Sequence, residues 1–152
     1  MKQKKVSDSA IKHYPVEVFP GDLNAKGTVF GGRIMAVMDK VAGYVAQRHS
    51  NMDCATLGVD SVRFLAPAKQ GEVLIFKASA NRVWGSSLEI GVKVIAEDLK
   101  TGDSRNVLSA YLPFVALNEE LKPAKIPFKL KPCTKDERRR YKEAGIRRKF
   151  RL

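Results

Sequence analysis

The sequence predicts an α+β domain in which a curved antiparallel sheet encloses one long helix. Three observations carry this. From residue 30 to about 49 the chain has helical spacing, contains no proline and is apolar on most of its circumference, so the helix must be wrapped. Four later segments read as strands rich in Val, Ile, Leu and Phe. Their connections are short and carry turn residues, which makes them hairpins and the sheet antiparallel.

In chain order, residues 14–19 form a strand-like run that Pro20-Gly21 ends. A loop follows over residues 22–28 by its turn residues. Gly31-Gly32 opens the helix, whose Ile34, Met35, Val37, Met38, Val41 and Val45 point in every direction at 3.6 residues per turn. Strands are expected at 54–65, 73–84, 88–97 and 107–117, with alternation clear in Leu74/Phe76/Ala78/Ala80 and in Leu88/Ile90/Val92/Val94. Turn signals separate them: Pro67 with Gly71, then Gly85-Ser86-Ser87, then Thr101-Gly102-Asp103. Pro113 interrupts the last strand, which predicts a bulge or an edge position there. The organisation expected is an N-terminal extension over 1–13, one domain over 14–127, and a basic, partly helical tail over 128–152.

With 152 residues, 44% of them hydrophobic and 29% charged, the chain has the size and composition of one folded globule. A core of that size needs no disulfide or metal staple. No apolar run approaches the ~20 residues needed to cross a bilayer, so no membrane role is expected. The basic opening Met-Lys-Gln-Lys-Lys is followed by Val6-Ser7-Asp8-Ser9 rather than a signal-type apolar stretch, and a cytoplasmic location is expected. Cys54 and Cys133 are isolated, which fits a reducing compartment. His13 and His49 are the only histidines and show no metal-type spacing with them, so no metal is expected; a Ser or Cys triad would need one of the two as its base.

The net charge of +12 is localised. Residues 121–152 hold 13 Lys or Arg and 3 Asp or Glu, leaving 15 basic and 13 acidic residues in 1–120. The basicity therefore belongs to the tail, which reads as a solvated helical extension or as an attractor of polyanions such as RNA, anionic lipid or a phosphorylated cofactor. No recognition helix, zinc finger or RNP-type motif supports nucleic-acid binding.

Asp39 is the most informative residue. At helical spacing it shares a face with Met35, Ala42 and Ala46, and a carboxylate buried there would be costly unless paired. Burial would raise its pKa toward the range useful for proton transfer near neutral pH. The alternative places Asp39 at a solvent seam, paired with Lys40 or Arg48. Gly31 and Gly32 at the helix start let a ligand approach first-turn N–H groups, a ready oxyanion site. Asn24, in the preceding loop, could hold water or a carbonyl through its amide, although isolated asparagines there are more often turn residues.

The run from Asn24 through Gly27, Phe30, Gly31-Gly32 and Met38-Asp39 resembles the signature of the hotdog-fold acyl-CoA thioesterases. The similarity is to the cytosolic branch typified by bacterial short-to-medium-chain acyl-CoA hydrolases and the mammalian brain-type enzyme. Further matches are Val59-Asp60-Ser61-Val62-Arg63-Phe64-Leu65-Ala66-Pro67, Arg82-Val83-Trp84-Gly85-Ser86-Ser87-Leu88-Glu89, and Ala110-Tyr111-Leu112-Pro113-Phe114-Val115-Ala116-Leu117. The resemblance covers roughly residues 14–127 and implies a hotdog fold that hydrolyses fatty acyl-CoA to free acid and CoA. It implies that Asp39 is the catalytic carboxylate, as general base or nucleophile, and that Asn24 meets it from the partner subunit of a homodimer. By the same resemblance, a backbone N–H of Gly31 or Gly32 polarises the thioester carbonyl. Arg82 with Gly85, Ser86 and Ser87 lies along the CoA arm. The resemblance further implies that dimers commonly assemble as a trimer of dimers and that no cofactor is needed beyond the CoA of the substrate. Pro113 departs from the family pattern, and the tail lies outside it.

Two rival readings stand beside this one. A non-catalytic acyl-CoA-binding hotdog sensor, with its basic tail on nucleic acid, would have no need of the Asn24/Asp39 pair. A hotdog hydratase or dehydratase would need a catalytic histidine, and neither His13 nor His49 lies in such a motif.

Overall fold

Helix formation from Gly31 to Ser50 sets the architecture of the computed structural model, which describes residues 2–151. The chain runs β1 (Lys2–Lys5), α1 (Val6–Ser9), β2 (Ile11–Glu17), a 3-10 turn (Pro20–Asp22), α2 (Gly31–Ser50), β3 (Asp53–Thr56), β4 (Asp60–Phe64), β5 (Val73–Trp84), β6 (Ser87–Glu97), β7 (Ser104–Leu117), β8 (Phe128–Lys131) and α3 (Lys135–Lys149). Six strands form one antiparallel sheet in the order β2-β5-β6-β7-β3, with β4 also paired to β7. The alternating residues of β5 and β6 join α2 in one core, including Leu74, Phe76, Leu88 and Ile90.

The helix ends where Asn51 adopts a left-handed conformation and returns its N–H to Gln47 O at 2.7 Å. Its buried residues are Ile34, Val37, Met38, Val41, Ala42, Val45, Ala46 and His49, a one-sided i, i+3, i+4 stripe. The wrapping expected from the sequence is therefore only half present in one protomer. Ala36, Asp39, Lys40 and Tyr44 on the other side are exposed.

Four further expectations are corrected. The single strand at 54–65 is two strands, because Pro113 lies opposite the break. Pro113 O accepts from Leu57 N at 2.8 Å, so the missing proline N–H also faces this gap. Pro113 is thus neither at an edge nor in a bulge of its pairing with β6, where it sits in register with Glu89. The neighbouring strand yields instead.

The N-terminal segment is also integrated. β1 pairs in parallel with β8, and Lys4 Nζ donates to Arg48 O at 2.8 Å and to Asn51 Oδ1 at 2.9 Å, closing the C-terminus of α2.

The tail, in turn, is docked rather than solvated. Thr134 and Glu137 cap α3 reciprocally, with Glu137 N donating to Thr134 Oγ1 at 3.0 Å. Arg147 then donates to both carboxylate oxygens of the fully buried Glu89, at 3.0 and 2.8 Å. Arg151 bonds Glu89 and Asp60, and Asn81 Nδ2 donates to Glu89 at 2.9 Å. Glu89 alternates with core-facing Leu88 and Ile90, so α3 lies on the outer face of the sheet. Met1 and Leu152, the outermost residues of the expected 1–13 and 128–152 segments, lie outside the described residues.

Candidate active site

Asp39 leaves α2 at the border of its buried stripe, beside the end of β3. The burial expected for it is not found in a single protomer: Asp39 is exposed while Ala42 and Ala46 on the same side are fully buried. A helical step of one residue past the buried Met38 carries its side chain out of the core contact. Among the described residues it forms no ion pair with Lys40 or Arg48. Its partner is instead Thr56, whose hydroxyl donates to Asp39 Oδ1 at 2.6 Å. That short bond to a charged acceptor fixes the rotamer and leaves the second oxygen free for chemistry.

Thr56 is the site residue that sequence reasoning missed. The signal available was a hydroxyl closing the strand Asp53–Thr56, but what it meets depends on a contact across 17 residues.

About two and a half turns back, the helix begins without a side-chain cap at Phe30. Arg33 N returns to Phe30 O at 3.0 Å, while the N–H groups of Gly31 and Gly32 have no intrahelical partner. The glycines are there for space. A Cβ on Gly32 would lie 2.5 Å from Phe30 Cε1, and one on Gly31 3.2 Å from Phe64 Cζ. Both rings stand over the helix start and are more than half exposed, as are Leu57 and Leu65 nearby in the chain. Exposed apolar side chains of this size are available for association with another surface.

Asn24 serves its own loop. Its Oδ1 accepts from Lys26 N at 2.9 Å and Thr28 N at 3.2 Å, and its Nδ2 donates to Thr28 Oγ1 at 3.0 Å. Among the described residues all hydrogen bonds of Asn24 stay within residues 24–28, so one protomer does not bring Asn24 to Asp39.

The residues expected along a CoA arm lie at the β5–β6 hairpin. Gly85 takes φ +51°, a left-handed turn conformation, and its carbonyl accepts from Ile126 N at 2.9 Å. Ser86 O accepts from Ala116 N at 2.7 Å, and Ser87 Oγ donates to Trp84 O at 3.2 Å. Arg82 is tied to α3: Nη1 donates to Tyr141 O at 3.3 Å, and its guanidinium lies 4.2 Å from the Tyr141 ring centroid. Among the described residues no three His, Cys, Asp or Glu side chains cluster as metal ligands would. Nor is any helix there long and apolar enough to cross a membrane.

Arranged this way, a carboxylate steadied by a hydroxyl stands about two helical turns from unpaired backbone donors. That set can activate a water and stabilise an oxyanion. Residues 26–102 match the family model of the thioesterase superfamily. YkhA of Bacillus subtilis, described as an uncharacterized acyl-CoA thioester hydrolase, is 38% identical over 79% of this chain and 69% of its own length. The cytosolic acyl coenzyme A thioester hydrolase of Rattus norvegicus is 34% identical over 90% of this chain and 35% of its own length. Among solved structures, an apo-hexameric acyl-CoA thioesterase superposes with TM-score 0.94 at 31% identity, covering 98% of this chain and 94% of its own. The acyl-CoA hydrolase of Staphylococcus aureus, solved with butyryl coenzyme A, coenzyme A and coenzyme A disulfide, superposes with TM-score 0.90 at 33% identity, covering 97% and 88%. Alanine variants of that hydrolase at one Asp, one Thr and one Asn superpose equally well.

Proposed function

Since the chain belongs to the thioesterase superfamily and has the hotdog fold of acyl-CoA hydrolases, we propose that it cleaves fatty acyl-CoA with Asp39 as the catalytic carboxylate. It is a thioester hydrolase of the acyl-CoA class. The observation that carries the assignment to Asp39 is its hydrogen bond from Thr56 at 2.6 Å, beside the open glycine start of α2. Support comes also from spacing: the Asn, Asp and Thr replaced in the S. aureus variants are separated by the same intervals as Asn24, Asp39 and Thr56.

In the hydrolytic step, Asp39 takes a proton from water as the water oxygen attacks the thioester carbon. A Gly31 or Gly32 N–H receives the developing oxyanion. The tetrahedral intermediate then expels the CoA sulfur, to which Asp39 returns the proton. The alternative is direct attack by Asp39 through a mixed anhydride that water resolves. Thr56 holds one carboxylate oxygen so that the other meets the water or carbonyl. No metal or redox cofactor enters either route.

Asn24 reaches this centre from a second copy, completing a site that one chain lacks. The uncovered side of α2 and the exposed Phe30, Phe64, Leu57 and Leu65 support that dimer, and the hexameric relatives support its growth to a trimer of dimers. Arg82, Gly85, Ser86 and Ser87 lie along the CoA arm, and the location is the cytosol, as the name of the rat relative supports. The sensor reading has no need of the Asn24/Asp39 pair, and two of the tail's cations, Arg147 and Arg151, are engaged with Glu89.

A thiol-release assay across acyl-CoA chain lengths tests the proposal. Release of free CoA from at least one length is expected; saturable binding without release at every length would overturn it.

A further inference from the structure

Between the C-terminal half of α3 and the end of β5 lies an open cavity of about 610 Å³. Its wall holds Arg82, Trp84, Lys142, Ile146, Arg148 and Lys149, four cations and no carboxylate. Among the described residues none of these four cations is in an ion pair. Two of them share one indole: the Arg82 and Arg148 guanidiniums lie 5.6 and 4.7 Å from the Trp84 ring centroid. Elsewhere on α3 Arg139 pairs with Asp136 and Glu143, and Arg147 with Glu89, while Lys135, Arg138 and Arg140 form no ion pair among the described residues but line no part of this cavity. Like charges gathered without a counter-charge around a concave wall are the electrostatic form of a site for a multiply charged anion.

The position of the cavity narrows the ligand. Trp84, Ser87, Val115 and Ala55 are successive partners across β5, β6, β7 and β3, and the residue after Ala55 is Thr56, which holds Asp39. Three strand spacings separate Trp84 from Ala55, about 14 Å. The cavity and the carboxylate therefore occupy the same end of the sheet but opposite faces of it, α3 outside and α2 inside, with the Gly85-Ser86 turn at the rim between them.

We propose that α3 supplies a phosphate subsite for the nucleotide end of CoA, with Lys142, Arg148 and Lys149 on the phosphates and Arg82 as the fixed floor. This rests on the acyl-CoA reading, and it gives the basic tail a role that the family resemblance does not. Arg82 is held by Tyr141 O and its ring, whereas the side chains of Lys142 and Lys149 are exposed on α3 and make no hydrogen bond among the described residues. They are free to turn to a phosphate.

Trp84 is the only tryptophan of the chain and reports the site directly. Its fluorescence is titrated in the full-length protein with CoA, with adenosine 3′,5′-bisphosphate and with pantetheine. CoA and the bisphosphate are expected to bind saturably and competitively at Trp84, and pantetheine to leave the signal unmoved. The double variant K142E/K149E is expected to weaken both nucleotides by on the order of tenfold or more. The KM for acyl-CoA rises in step. Unchanged affinity in the double variant would overturn the subsite, as would bisphosphate binding that CoA does not displace. A chain that binds CoA in this way but releases no thiol from acyl-CoA would overturn the hydrolytic reading and leave the subsite standing. Normal turnover with an unmoved KM in the double variant would overturn the subsite alone.

Discussion

The Thr56 hydroxyl donates to Asp39 Oδ1 at 2.6 Å, joining the end of β3 to the exposed flank of α2. A neutral donor on a carboxylate orients it without adding a second charge. Thr56→Val should therefore lower kcat by on the order of tenfold, the value of one hydrogen bond to a charged group. Thr56→Ser should restore most of it. Because Thr56 is exposed, the thermal midpoint should stay close to wild type in both. A kcat unaffected by loss of the hydroxyl would separate Thr56 from the chemistry.

Asn24 binds only its own loop within one chain, so its proposed service to Asp39 needs a second copy. Asn24→Asp keeps the acceptor that shapes the loop and removes the amide donor. Asn24→Asp and Asp39→Ala proteins should each be nearly inactive. Unfolded together and refolded as mixed oligomers, they should regain thiol release, because one site of each mixed dimer is then intact. No recovery in verified mixed oligomers would place both residues in one subunit.

Glu89 is fully buried between Asn81, Arg147 and Arg151. Burial alone would push its carboxyl up. The hydrogen bonds from Arg147 and Asn81 and the charges of Arg147 and Arg151 outweigh it and hold the pKa below 4.5. With the folded value depressed, the stabilisation is present above pH 4.5 and is lost as pH falls through the folded pKa. Glu89→Gln should cost about 3 kcal/mol in urea unfolding at neutral pH, since it leaves Arg147 without a counter-charge and Arg151 with Asp60 alone, and should flatten the acid limb. Truncation after residue 132 should destabilise too, which a solvated tail would not.

His49 is buried beneath β8, with Nε2 3.2 Å from Phe128 O. Burial lowers its pKa from 6.5; the Phe128 carbonyl partly opposes this, the Lys4 charge adds to it, and Asp8 opposes it. The unfolded chain then binds the proton first, so stability falls as pH drops below 6.5 toward the folded value. The unfolding midpoint of wild type should decline over that interval, and that of His49→Gln should decline less. Parallel profiles would remove His49 from the linkage.

The helix and the long strands were legible in the sequence because their periodicity is local, and β5 runs over 73–84 as read. Two apolar sides of α2 were legible as well, but periodicity alone does not say which side meets the chain's own sheet. That is why Asp39 was expected inside and lies outside in one protomer. The break between β3 and β4 follows from Pro113 on a strand more than fifty residues later, and the docking of α3 follows from Glu89. Such pairings arise only when distant strands are brought into register. Thr56 stayed hidden for the same reason: its meaning is its contact with Asp39.

The most direct measurement is turnover of acyl-CoA by the Asp39→Asn protein, a near-isosteric change that leaves the Thr56 contact an oxygen to bond. With oligomer size and CoA affinity unchanged, kcat should fall by about 10²-fold or more, as loss of a general base or nucleophile requires. A variant that releases thiol at close to the wild-type rate would contradict hydrolysis by this carboxylate.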